Sequence, residues 1–281
     1  SFIRPQQTHY LVKGSGLTRS IRTIVGEQRE KWHLQQYPAR DDAYSQIAQI
    51  AQLPQELDFP REQIVPWFHY VGPLKNSSEI EPVSLNSQHF PFEQLNGKPL
   101  IYANLGTLQS HNWKIFDYIA EACLDFDVQL VISLGNPNAD PAQTNFPGNP
   151  LVVPFPPHQQ LINRADLVIT HAGSTAVSCL SSGVPMVAVP ITTDQPGMAA
   201  RVARVGAGEV VPLAKLSVPR LKIAIKQVLE DRSYRDNAAK LRAAIQNAGG
   251  VNYAANVVEQ AIDMNTSVLN HRLRGSVKVP V

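Results

Sequence analysis

Three places in this 281-residue chain carry residue types at a spacing that could do chemistry. His171 ends the apolar run "DLVITH" (166–171), and Gly173, Ser174 and Thr175 open the segment after it. Asp194 and Gln195 follow the next apolar run, "VPMVAVP" (184–190). Gly106 and Thr107 close an earlier one, "PLIYANLG" (99–106). A helix start offers N–H groups with no partner inside the helix, and a glycine lets backbone approach a ligand closely. With a histidine beside them, such groups suit a phosphate. Taken alone, Gly-Ser-Thr can equally cap a helix, and a histidine can satisfy itself against a carbonyl. The binding reading gains from their sharing one rim.

The elements that would place them there are legible. Residues 99–106, 128–135, 149–155, 166–171 and 184–190 are near-continuous apolar runs, and 208–213 is a shorter sixth. Helix-length segments follow most of them: 111–125, 158–165, 173–182, 195–205, 217–230 and 233–247. Unbroken apolar strands alternating with helices predict a parallel sheet covered on both faces, a doubly wound α/β domain. In such a sheet ligands bind beyond the carboxyl ends of the strands. Upstream, residues 17–34 place Leu17, Ile21, Ile24, Val25 and Trp32 on one face of a helix. "YSQIAQIAQL" (44–53) reads as a short helix stopped by Pro54, and "WFHYVGPL" (67–74) as a strand. The stretch 75–99, rich in Pro, Ser and Asn, reads as mostly linker.

Composition narrows the function classes. An apolar fraction of 43% with 17% charged residues describes a globular chain able to bury a core. A net charge of +2 points away from nucleic acid and anionic membranes. Two cysteines, Cys123 and Cys179, are too few for a disulfide framework and predict a reduced, cytoplasmic setting. No apolar run approaches the roughly 20 residues of a membrane-spanning helix. The first residues lack a signal-peptide pattern, and a start at Ser1 reads as a fragment.

The stretch "FPPHQQLINRADLVITHAGSTAVSCLSSGVPMVAVPITTDQPG" (155–197) resembles the donor-binding signature of the UDP-dependent glycosyltransferases with two facing Rossmann-like domains. The bacterial signature runs W-x-P-Q, about a dozen residues, T-H-x-G, a Glu in the helix, G-V-P, then D-Q. Here it stands as Phe155-Pro156-Pro157-His158, Thr170-His171-Ala172-Gly173, Gly183-Val184-Pro185 and Asp194-Gln195. "DQPGMAARV" is similar to the bacterial branch that includes zeaxanthin glucosyltransferases. The resemblance implies a GT-B donor domain over 98–264. It implies a remnant of the acceptor domain over 1–75, a linker over 76–97 and a tail over 265–281.

It also implies roles. Phe155 would stack on uracil where the family has Trp, and His158 would lie near ribose and base where it has Gln. His171, with the amides of Gly173, Ser174 and Thr175, would hold the diphosphate, and Thr107 would reach it too. Asp194 and Gln195 would bind sugar hydroxyls. The expected reaction is inverting transfer of a hexose, glucose first, from a UDP-sugar to a small-molecule or lipid acceptor. No metal or other cofactor is expected, and location is cytoplasmic with membrane-peripheral association open. Two departures stand out. The family's ribose-binding Glu is Cys179 here, and its catalytic histidine lies in a region upstream of Ser1, so no catalytic base is named. A nucleotide-sugar-binding subunit served by a separate acceptor-domain partner chain, and a nucleotide-sugar epimerase, are the alternatives.

Competing motifs are weaker. Asp125-Phe126-Asp127 precedes its strand and so falls at the amino edge, away from the rim. Gly14-Ser15-Gly16 lacks the third glycine of a dinucleotide fingerprint. His33, His69, His89, His111 and His271 lack metal-ligand spacing and read as surface or capping residues. Arg201 and Arg204 read as a solvated face, with a place at the border of the site open to either, and 269–281 reads as disordered.

Overall fold

The strand β3 (Leu100–Asn104) is buried at every position, as a strand covered on both faces must be. The computed structural model describes residues 21–37, 44–61, 63–74, 90–108, 112–264 and 266–272. Around β3 lie β4 (Gln129–Ser133), β5 (Leu151–Val153), β6 (Leu167–Thr170), β7 (Met186–Ala188) and β8 (Gly208–Val210). Their order is β5-β4-β3-β6-β7-β8 with every pair parallel. The chain winds outward through β4 and β5, then returns to the far side of β3 for β6. The point between β3 and β6 is therefore the topological switch at which doubly wound sheets bind ligands.

Alternation along the strands sends successive side chains to opposite faces. On one face Ile101, Ile132, Ile169 and Val187 pack beneath α2 (Trp113–Cys123) and α6 (Val218–Glu230). On the other, Tyr102, Val131, Val168 and Met186 pack beneath four helices. These are α3 (His158–Ile162), α4 (Ser174–Ser182), α5 (Gln195–Arg204) and α7 (Ser233–Ala248). All six predicted strands and the six helices paired with them are present. One helix was not foreseen, α8 (Gly250–Met264), because the Gly249-Gly250 pair reads as a stop. Both glycines take positive φ, turning the chain sharply enough for a new helix to begin at once.

The amino-terminal part departs from expectation in three places. Residues 44–53 are not a helix: Gln49–Ala51 form β1, parallel to β2 (Phe68–Tyr70). Their spacing suits either structure, and pairing with residues 67–71 decides it; Val268 N–H donates to the Ile47 carbonyl at 2.9 Å. The helix over 21–31 forms, but its apolar face is open among the described residues, with Ile24 58% and Trp32 62% exposed. Leu17 and Gly14-Ser15-Gly16 lie outside the described residues. So does 75–89, most of the expected linker, whereas Phe90 is buried in the core beneath Tyr102.

The start of the tail is a further correction, while 273–281 lie outside the described residues. Residues 266–272 pack back on β1 and β2, with Val268 buried. His69, expected at the surface, lies at the centre of that contact and is 1% exposed. Its Nε2 donates to the Val268 carbonyl at 3.0 Å, and its Nδ1 lies 3.0 Å from the Tyr253 hydroxyl. Of the other histidines, His33 and His271 are exposed, and His89 and His111 lie outside the described residues. The carboxylates Asp125 and Asp127 pair with Lys222 and Lys98 at 2.5 and 2.7 Å, at the amino edge. No helix among the described residues is long and apolar enough to cross a membrane.

Burial lowers the pKa of His69, and its bond to Val268 offsets that only in part. The folded value is thus below the unfolded one, so this contribution to stability is whole above about pH 6.5 and fades as pH falls. The melting temperature is expected to drop between pH 7.5 and pH 5. His69→Gln, measured by thermal melts across that range, should show a smaller drop.

Candidate functional site

At the switch point the chain leaves β3 and β6 toward opposite faces, opening a crevice at the carboxyl rim. The ring of His171 fills its floor and is 9% exposed. A Cβ added at Gly106 would stand 2.8 Å from His171 Cε1, and one added at Gly173 would overlap Nε2. Both glycines are needed for the ring to sit there. Gly106 has φ +73°, and the first residue past the histidine, Ala172, also takes a left-handed φ of 64°. Gly135, after β4, packs its Cα against the Gly106 carbonyl and closes the crevice from the other side.

The chemistry of this corner is that of a neutral donor. Burial lowers the pKa of His171, with the Asn104 carbonyl and the Asp194 carboxylate pulling it partly back. Nδ1 is buried without a hydrogen-bond partner of proper geometry, so the single proton of the neutral ring is free to stand on Nε2. Beside Nε2, α4 begins at Gly173 with no side chain capping it, and Ser174 is exposed. Its first N–H groups and the positive end of its dipole face the crevice.

The predicted residues fall on this rim with distinct surroundings. Thr107 is exposed beyond Gly106. Phe155 is half-buried after β5, and His158 opens α3 with Nδ1 3.0 Å from the Tyr102 hydroxyl. Thr175 is buried, so it offers the crevice backbone rather than side chain. Asp194 is exposed and accepts from the Thr193 hydroxyl at 3.1 Å. Gln195 is buried: its Oε1 accepts from the N–H groups of Ile191 and Thr192, both at 2.9 Å. That pins the loop between β7 and α5, in which Thr193 holds a φ of 54°, costly for a β-branched residue.

Residues 117–264, just over half of the chain, match the family described as erythromycin biosynthesis protein CIII-like, C-terminal domain. The chain belongs to the UDP-glycosyltransferase family. It is 31% identical over 257 residues to a zeaxanthin glucosyltransferase of Pantoea ananas, covering 90% of this chain and 58% of that protein. It is 35% identical over 233 residues to the zeaxanthin glucosyltransferase of Pseudescherichia vulneris, covering 81% and 54%. The chain thus spans somewhat over half the length of these curated relatives. Among solved structures, the glycosyltransferase of kitacinnamycin superposes with a TM-score of 0.72 at 21% identity, over 86% of this chain and 62% of that one. The fold is the Rossmann-like donor domain of GT-B glycosyltransferases.

Within this family site, Cys179 is a correction. It has no exposure and sits among Tyr102, Leu161, Ile162, Ala176 and Leu180 in the core. Its carbonyl accepts from Val184 N–H at 2.9 Å where Gly183 turns the helix off, and burial pushes its thiol well up. A group so placed touches the core, not a ribose.

Arg201 is a second correction, Arg204 is exposed as expected, and Asp58 was missed altogether. Asp58 is buried and receives the Tyr70 hydroxyl at 2.8 Å, Arg201 at 2.8 and 3.0 Å, and Arg61 at 2.8 Å. Arg204 donates to the Glu56 carbonyl at 2.6 Å. These bonds tie residues 54–61 to the helix that carries Gln195. Only a pairing across 143 residues reveals them, and nothing local in "ELDFPR" signals it. Burial alone would raise the Asp58 carboxyl, but the Tyr70 and Arg201 hydrogen bonds and the charges of Arg201 and Arg61 outweigh it and hold it low.

Two outcomes are expected. Asp58→Ala should cost about 1–3 kcal/mol in urea unfolding, below the usual loss for a buried pair because both arginines can reach water. Since the folded carboxyl titrates low, that difference should be full above about pH 4 and shrink as pH falls further. Cys179→Glu should cost several kcal/mol by the same assay, because it buries a carboxylate with no partner. Wild-type stability in that variant would show that position 179 can reach the rim.

Proposed function

We propose that this chain is the donor-binding part of an enzyme that transfers a hexose, glucose in the first instance, from a UDP-sugar. The acceptor is a hydroxyl of a small molecule or lipid, and the configuration at the anomeric carbon inverts. The observation that carries this is the neutral His171 ring held between Gly106 and Gly173 at the uncapped start of α4. The names of the relatives support it.

In this reading the diphosphate lies across the start of α4, and His171 donates a proton-bearing nitrogen to it. Phe155 supplies a face for uracil, and His158 a polar group near base and ribose. Asp194 accepts from sugar hydroxyls. Gln195, whose oxygen is committed to its own loop, contributes its amide N–H groups. The acceptor oxygen attacks the anomeric carbon from the face opposite the diphosphate. The bond from that carbon to the phosphate oxygen breaks, and its electron pair leaves with UDP. The acceptor's proton passes to a base that no residue here is assigned to be. Charge grows on the diphosphate as the bond breaks, where fixed N–H donors and the helix dipole already stand. That stabilisation needs no metal ion.

Titration calorimetry with UDP tests it. His171→Ala should weaken binding by about 1–3 kcal/mol while leaving the fold intact. Equal affinity in the two proteins would remove His171, and with it this reading of the site.

A further inference from the structure

A chain of hydrogen bonds runs under the rim, and its polarity can be read from one end to the other. This inference rests on the nucleotide-sugar reading of the site. The Gly106 N–H donates to Asn104 Oδ1 at 2.8 Å. A backbone N–H can only donate, so the side-chain amide cannot be flipped: its Nδ2 end faces Tyr102, donating to the hydroxyl oxygen at 3.2 Å. The Tyr102 oxygen is thus an acceptor from Asn104, and its own proton turns to His158 Nδ1, 3.0 Å away. A neutral imidazole that accepts at Nδ1 carries its proton at Nε2.

We propose that Tyr102 is a positioning residue that fixes His158 as an Nε2–H donor toward the nucleoside and couples it to the phosphate loop at Gly106. The strand supports this role. Tyr102 is fully buried in the middle of β3, where its neighbours Ile101 and Ala103 are apolar and phenylalanine would fill the same space. A hydroxyl buried there costs free energy unless it is bonded, so its value lies in what it joins. Asn104 adds the second joint. At the last position of β3, level with Ser133 and Thr170 on the neighbouring strands, it alone of the three has its polar atoms engaged within the chain; Ser133 Oγ and Thr170 Oγ1 are buried without partners. The same polarity explains how histidine can stand where the family has glutamine. A glutamine carbonyl can accept from Tyr102 while its amide donates outward; alanine can do neither.

UDP titrations on four variants, with nitrogen NMR of the imidazoles in the unliganded protein, decide it. His158→Gln should bind UDP within about twofold of wild type, and His158→Ala about three- to tenfold more weakly. Tyr102→Phe should lose a similar factor. The double variant Tyr102→Phe/His158→Ala should be no worse than about twofold below either single one, since both remove one connection. In the spectrum, the ring whose signals vanish in His158→Gln should be protonated at Nε2 and bare at Nδ1, with the Nδ1 signal displaced in Tyr102→Phe. Additive losses, unchanged UDP affinity in a folded Tyr102→Phe protein, or a His158 protonated at Nδ1 would overturn the proposal. If wild type binds no UDP, the functional reading fails, while the spectrum still decides whether Tyr102 sets the His158 tautomer.

Discussion

The ring of His171 lies where two glycines have no side chain, and the carboxyl rim is organised around that contact. Neither Gly106 nor Gly173 can accept a Cβ without displacing the imidazole. The two glycines belong to the loops after β3 and β6, adjacent strands whose loops part toward opposite faces of the sheet. Ala172 bears a left-handed backbone to make the close approach possible, and Thr193 does the same one strand further along. Such strain persists only where surrounding structure over-determines it, and Ala172 and Thr193 both lie on this rim, while Asn149 and His33 take positive φ elsewhere.

Electrostatics at that rim follow from burial more than from charge. His171 is kept neutral by its surroundings, and the helix beside it starts without a capping side chain. An anion arriving there meets N–H groups and a dipole already in place, so little reorganisation is needed. The Asp194 carboxylate is exposed and accepts from the Thr193 hydroxyl. Its charge reaches the His171 ring and offsets part of the effect of burial there.

The sheet does not stand apart from the segments before it. Asp58 draws Arg201 of α5 and the Tyr70 hydroxyl into one buried cluster. Gly250 N–H, at the start of α8, donates to the Val71 carbonyl at 2.7 Å, and residues 266–272 return to β1 and β2. The helix that carries Gln195 is therefore braced from outside the donor domain. Movement of residues 54–61 would be felt at the loop between β7 and α5 through Arg201, whose Nε and Nη2 both donate to Asp58 Oδ1 in charge-assisted bonds.

Much of this was legible in the sequence, and the reason is local. A parallel strand covered on both faces must be apolar throughout, so "LIYAN", "QLVIS" and "LVIT" announce themselves without reference to their neighbours. The helix starts after each strand, and hence the rim carrying His171, Gly173 and Gln195, follow from that alternation. What tertiary structure decided was everything that depends on a distant partner. Gln49–Ala51 became a strand because residues 67–71 supplied the other halves of its hydrogen bonds. Arg201 became a brace rather than a solvated charge because Asp58 lies buried against it. Cys179 faces the core because α3, α7 and the sheet pack against α4, a fact of packing that spacing from His171 cannot contain. Local pattern fixes which atoms a residue can offer; only the assembled chain determines which of them find a partner and which are left to meet a ligand.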